Sequence, residues 1–219
     1  MKRLFLTSQI QYVAHSIGPK IENKFKQNAV FINTPLKDKV HSHLEWHYEN
    51  KAKMEEVGFK FVEYDITEKT SDQIIADLNL FDVMYIEGGN SYYLLQESQK
   101  SNFGEFVKKR VEEGMIFVST SAGTVIAGPD IEPVRQDSRA VLAPNLRGTK
   151  GYGLVDFVIM PHWGQEKRRD LFNGYRIGHI YHEDYPYILL TDHQYVEVTD
   201  DWFNIIDVTK DWYSDYSNN

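Results

Sequence analysis

Ser121, His162 and a group of carboxylates between them have the strongest claim on chemistry in this chain, with a glycine-bearing turn upstream. Ser121 sits in Phe117-Val118-Ser119-Thr120-Ser121-Ala122-Gly123-Thr124, where an apolar run passes through small residues into a candidate helix. In an α/β protein such a turn lifts its central side chain clear of the sheet. It also directs the first helical N–H groups at whatever that side chain attacks, which makes a nucleophile with an oxyanion site beside it. The elbow pattern G-x-S-x-G is met in part, since Gly123 holds the second glycine position and Ser119 stands at the first. A plain strand-to-helix junction would share this local sequence, so the neighbouring groups must decide.

His162 follows an apolar run and Pro161, which fixes it at the end of an element. An imidazole there suits a general base because its ordinary pKa lies near working pH; a packed histidine at the core rim is the competing reading. Gly88-Gly89-Asn90 is either a tight strand exit using residues tolerant of positive φ or an oxyanion loop, with the N–H of Gly89 pairing that of Ala122. Together with Ser121, these groups favour a serine–histidine–acid triad. For the acid, Asp130, Glu132, Asp137 and Asp156 all lie between serine and histidine and remain open; Asp156 falls inside a candidate strand. His43 and His47 share a helix face beside His41, but no H-E-x-x-H pattern or carboxylate cluster accompanies them, so a metal site is not expected.

The elements that must position these groups alternate along the chain. Apolar runs at 2–7, 29–33, 59–64, 82–86, 115–118, 155–160, 187–191, 195–198 and 202–208 read as strands. Helical patterns fall at 16–27, 40–57, from 71 to Leu78, 91–99, 102–113 and around 165–177. The rhythm predicts an α/β fold with a mostly parallel central sheet flanked by helices. Right-handed crossovers then bring the turns at 87–90 and 119–123 to one carboxyl edge, where such sheets build their sites. Residues 1–213 read as a single domain, with a long excursion from about 129 and a frayed polar tail at 214–219.

Composition removes several classes of function. No cysteine is present, which excludes disulfides, thiolate metal sites and a cysteine nucleophile. Asp and Glu number 32 against 24 Lys and Arg, for a formal charge of −8, which argues against nucleic acid as partner. No apolar run reaches the roughly 18 residues that span a bilayer, and Met1 to Leu6 lack a signal-peptide core, so a cytoplasmic protein without membrane contact is expected. Aromatic-rich helices offer a surface for a homodimer.

Three separated motifs match one family in order and spacing. Glu87-Gly88-Gly89-Asn90-Ser91 with Leu94-Leu95, Ser119-Thr120-Ser121-Ala122-Gly123-Thr124, and Met160-Pro161-His162-Trp163 together resemble peptidase E, the alpha-aspartyl dipeptidase family of serine peptidases that also includes cyanophycinase. The resemblance implies a class I glutamine amidotransferase-like, flavodoxin-like three-layer fold, with serine in place of cysteine. It implies Ser121 as nucleophile, His162 as base, Gly89 and Ala122 as oxyanion donors, small peptides as substrate and no cofactor. The family's triad aspartate follows the serine, and its nearest match is Asp137, with Glu132 second. Asn90, Arg168 and Arg169 take the substrate-binding positions. Two departures bear on specificity: Glu87 replaces a small residue and would oppose an acidic substrate, and the family's G-E-T-R segment is here Gly164-Gln165-Glu166-Lys167-Arg168-Arg169. N-terminal aspartate preference therefore rests on Arg168 or Arg169. The competing classes are a non-catalytic small-molecule binding protein on the same scaffold and another serine amide hydrolase.

Overall fold

The computed structural model describes residues 1–37, 44–134, 137–180 and 184–209. Five parallel strands form the centre of one sheet: β1 (Arg3–Thr7), β2 (Ala29–Ile32), β3 (Phe61–Tyr64), β4 (Val83–Ile86) and β5 (Ile116–Thr120). A two-stranded parallel ladder, β6 (Val158–Pro161) with β7 (Tyr187–Leu190), stands apart from it. The hairpin β8 (Gln194–Thr199) and β9 (Trp202–Asp207) then adds antiparallel to β1, giving the order β3-β2-β4-β5-β1-β8-β9.

The central strands are apolar on both faces, as a sheet covered by helices on both sides requires. Leu4, Leu6, Val30, Ile32, Met84, Ile86 and Phe117 pack into one core layer. Their neighbours Phe5, Phe31, Val83, Tyr85, Ile116 and Val118 pack into the other. This two-residue alternation fixes the register Leu4↔Phe117 and Tyr85↔Val118, because a one-residue slip would exchange the two layers. β3 is one of the two edge strands, and its half-exposed pattern follows from that place.

Several boundaries differ from the sequence reading, each for a local reason. The helix expected at 16–27 is instead Ile10–Ile17, with Ile10, Val13, Ala14 and Ile17 buried on one stripe. Gly18-Pro19 then opens a 3-10 turn, and a Cβ at Gly18 would lie 2.5 Å from Val57 Cβ. The helix expected at 40–57 is described from Glu45 to Glu56; His41 and His43 lie outside the described residues. The strand expected at 155–160 begins only at Val158, so Asp156 sits in an exposed bend before it. The helix expected around 165–177 is broken into a 3-10 turn, a single α-turn and a π-turn at Phe172–Arg176 before Ile177–Ile180. Among the described residues no helix is long and apolar enough to cross a membrane.

This topology gathers the carboxyl ends of β1, β4 and β5 on one edge of the large sheet, with the ends of β6 and β7 brought beside them.

Candidate active site

Ser121 lies directly after β5 with φ 49° and ψ −108°, a conformation rarely adopted by a residue carrying a Cβ. The surroundings hold it there. Its N–H donates to Thr7 O at 3.1 Å, and its carbonyl accepts from Thr124 and Val125 in the helix Ala122–Ala127. Thr124 Oγ1 donates to Thr7 O at 2.7 Å and meets Ser119 Oγ at 2.9 Å, so the serine standing at the first glycine position of the elbow locks the turn by a hydroxyl pair. Gly123 is obligatory, because a Cβ there would fall 2.4 Å from Ile86 O.

The loop after β4 runs alongside. A Cβ on Gly88 would lie 3.2 Å from Ser121 Cβ, so the two loops are neighbours as an oxyanion hole requires. Gly89 has φ 143°, and a Cβ there would overlap Pro35 O at 2.1 Å. Gly89 and Ala122 both line the cavity at Ser121. Ala122 is the first residue of its helix, so its N–H has no intrahelical acceptor and is available to a ligand.

His162 follows β6, also at positive φ (69°), and is 6% exposed. Its Nε2 lies 2.9 Å from Ser121 Oγ, and its Nδ1 lies 2.9 Å from Asp192 Oδ1. The carboxylate at Nδ1 is thus Asp192, which corrects the search between serine and histidine. Asp192 follows β7, the partner strand of β6, and the pairing Pro161↔Leu190 sets the two residues side by side. Asp156 is in its exposed bend, Asp130 pairs with Lys150, and Glu132 opens a 3-10 turn. Asp137 begins a short helix, and its side chain lies outside the described residues.

Asp192 is saturated with donors. Oδ1 also accepts from Ser8 Oγ at 2.7 Å, and the same hydroxyl accepts the His162 backbone N–H at 2.7 Å. Oδ2 accepts from Gln9 Nε2 at 2.9 Å and from Gln165 Nε2. Burial alone would raise this carboxyl, but the bonds from His162, Gln165 and Ser8 outweigh it and hold its pKa at about 2. For His162, burial pushes the imidazole below its usual value; the Asp192 bond opposes this, and the cations Arg168 and Arg176 add to the lowering. The pair is therefore neutral imidazole against ionised carboxylate at pH 7, with Nδ1–H held by Asp192 and the Nε2 lone pair facing the serine.

This state sets a pH dependence. The acid limb of kcat/KM is expected below pH 6.5, the ordinary histidine value, because only neutral imidazole accepts the serine proton. Folding stability should fall in the same direction. The unfolded histidine takes up its proton before the folded one, and the contribution of Asp192 is lost as pH drops from about 3.9 toward 2. A kcat/KM profile between pH 4 and pH 8 and urea midpoints between pH 2 and pH 8 would check both, and a limb above pH 6.5 would contradict the first.

The cavity beside Ser121 encloses about 370 Å³. Arg139, Lys167, Arg168 and Arg176 line it, and none of the described lining residues is Asp or Glu. Burial and the mutual repulsion of the guanidiniums depress Arg176, to about 10, and Arg168 also falls below its usual value through burial and Arg139. Part of this cluster is anchored: Arg139 Nη1 donates to Gly89 O at 2.6 Å, and Arg176 Nη2 to Val134 O at 3.2 Å. Such a cluster is electrostatically incomplete without an anion.

Of the sequence-derived substrate residues, only Arg168 lines the cavity. Arg169 is exposed and turned out of it. Asn90 is fully buried and caps the helix Ser91–Ser101, its Oδ1 accepting from Tyr92 N and Tyr93 N while its Nδ2 donates to Arg139 O. Glu87 is buried as well. Its carboxylate accepts from Asn50, from Tyr85 OH and from the Gly88 N–H, and it pairs with His47 at 3.0 Å, so it is not presented to the cavity as a free charge. Among the described residues no cluster suited to a metal ion occurs. Sequence reasoning missed Asp192, Ser8, Gln9, Gln165, Arg139 and Arg176; all but the arginines follow the carboxyl end of an apolar strand, which was the available signal.

Comparison with known proteins agrees with this architecture. An uncharacterized peptidase of Listeria innocua is 29% identical over 163 residues, covering 74% of this chain and 77% of that protein. One from Pasteurella multocida is 27% identical over 74% of this chain and 78% of its own length. Peptidase E of Streptomyces coelicolor is 33% identical over 89 residues, 41% of this chain and 35% of that protein. A crystal structure of a putative peptidase E protein from Listeria monocytogenes superposes with a TM-score of 0.79 at 24% identity, covering 95% of this chain and 99% of that one. The model of peptidase family S51 matches residues 4–206, from the first strand through the last and across every loop that meets at Ser121, and the chain belongs to that family of serine peptidases.

Proposed function

We propose that this peptidase hydrolyses small peptides carrying an acidic residue, through an acyl-enzyme formed on Ser121. The observation that carries the reading is the continuous chain Ser121 Oγ, His162 Nε2, His162 Nδ1, Asp192 Oδ1, with 2.9 Å at each of its two hydrogen bonds. His162 takes the hydroxyl proton as Oγ attacks the scissile carbonyl, and Asp192 stabilises the imidazolium that results. The N–H groups of Gly89 and Ala122 receive the developing oxyanion. His162 then returns the proton to the leaving amine, and water, activated by the same imidazole, releases the acyl group. No metal or organic cofactor enters any step.

An acidic substrate follows from the cationic lining. Arg168 and Arg176, which form no ion pair among the described residues, lower the basicity of His162, and a substrate carboxylate would neutralise them. The cavity volume suits a dipeptide and excludes a folded chain; N-terminal aspartate is the preference we assign, from the cationic lining together with the family resemblance. A cysteine-free chain acting on free dipeptides fits the cytoplasm.

Hydrolysis of an X-Leu dipeptide panel by the wild type and Ser121→Ala tests the reading. Cleavage of Asp-Leu that the variant lacks supports it, whereas cleavage of neutral members alone would discard the acidic preference. Arg168→Ala is expected to raise KM for Asp-Leu about 10- to 100-fold, the loss of one charge-assisted bond, with KM for neutral peptides little changed. Equal effects on both would remove Arg168 from substrate recognition.

A further inference from the structure

Gln165 occupies a position that the proton-transfer chain does not need and the cavity does not require. Its Nε2 donates to Asp192 Oδ2, and its Oε1 accepts from Arg168 Nε at 3.0 Å. The amide orientation is forced, since a reversed side chain would set oxygen against carboxylate and NH2 against guanidinium. One side chain therefore spans the acid behind the histidine and a cation of the substrate cavity. Gln9 Nε2 also donates to Asp192 Oδ2, so the acid stays in place without Gln165, and holding Asp192 is not by itself a reason for the bridge to reach Arg168.

We propose that Gln165 is a positioning residue that couples Arg168 to Asp192, so that the arginine governs the reactivity of Ser121 as well as the binding of an anion. The inference rests on the triad reading above. Hydrogen bonds in series polarise one another, and a guanidinium pulling on Oε1 makes Nε2–H a stronger donor to Asp192. With Arg168 unpaired, Asp192 Oδ2 is drawn toward the bridge and less of its charge serves the imidazole. When a substrate carboxylate satisfies Arg168, that pull relaxes, Asp192 supports the imidazolium more strongly, and His162 gains basicity as the proton must move. Arg176, another cation acting on His162, bonds to Val134 O and among the described residues has no such bridge.

The test uses a neutral alkyl fluorophosphonate, which reacts with the activated serine and offers the arginines no anion. Second-order labelling rates would be measured for the wild type, Gln165→Met, Arg168→Ala and the double variant, between pH 5 and pH 9. Coupling predicts that either single change speeds labelling several-fold at pH values above the acid limb and that the double variant is no faster than the singles, because each breaks the same bridge. It also predicts that the acid limb moves to higher pH in Gln165→Met, as Asp192 freed of one donor engages His162 more strongly; simple loosening would lower the rate without moving the limb. Wild-type or slower rates in Arg168→Ala, or gains that multiply in the double variant, would overturn the coupling while leaving the triad intact. A wild type that does not label at Ser121 would remove the triad reading and the coupling with it.

Discussion

Ser121→Ala is expected to lower kcat about a million-fold, the loss seen when a triad nucleophile is deleted and only the oxyanion donors and binding contacts remain. The substitution leaves the backbone at φ 49° and removes only Oγ, whose described partner is His162. Melting temperature should therefore move by no more than a few degrees. Ser121→Gly is the more informative companion, since it deletes the same nucleophile and also relieves the positive φ. Strain of this kind costs about 1–3 kcal/mol, partly offset by the entropy of an added glycine, so a net gain of about 1 kcal/mol is expected. Turnover and urea midpoints on the three proteins would check this. A glycine variant less stable than the alanine one would show that the elbow is not strained.

The second large effect belongs to Asp192. Asp192→Asn keeps the size of the side chain but offers His162 an amide where it had a carboxylate, so the wrong tautomer is stabilised and the lone pair is turned away from Ser121; a loss of about 10,000-fold in kcat is expected. Asp137→Asn, at the position the family resemblance suggests, should leave kcat within a few-fold of the wild type, because Nδ1 already has its partner at 2.9 Å. Measuring both variants on the same substrate decides between the two acids. A severe loss in Asp137→Asn with near-normal turnover in Asp192→Asn would reverse the assignment.

The parts of this site that can be read from the chain are those where one strong local pattern carries the position. Ser121, His162 and the Gly88-Gly89 turn each follow a run of apolar residues directly, and their place at strand ends needs no knowledge of the rest of the fold. Asp192 obeys the same rule after Tyr187–Leu190, yet it lies downstream of the histidine, where the order assumed for a triad does not look. Asn90 reads from the chain as a substrate residue because capping and ligand binding call for the same short polar side chain, and only its burial brings out the cap. Arg139 and Arg176 come from broken helical turns in the two stretches where hydrophobic periodicity fails, so nothing local distinguishes them from solvated arginines. The central sheet is legible because β1, β2, β4 and β5 carry apolar runs, whereas the separation of β6 and β7 into their own ladder depends on pairings between distant residues.

That separate ladder has a mechanical consequence. The distance from His162 to Asp192 is set by backbone rungs within one small unit, while the distance from Ser121 to His162 spans a seam between two units that share no strand pairing among the described residues. Heat, pressure or denaturant acting on the seam would part nucleophile from base while the base keeps its acid. Inactivation should therefore precede the loss of secondary structure and be reversible over that interval.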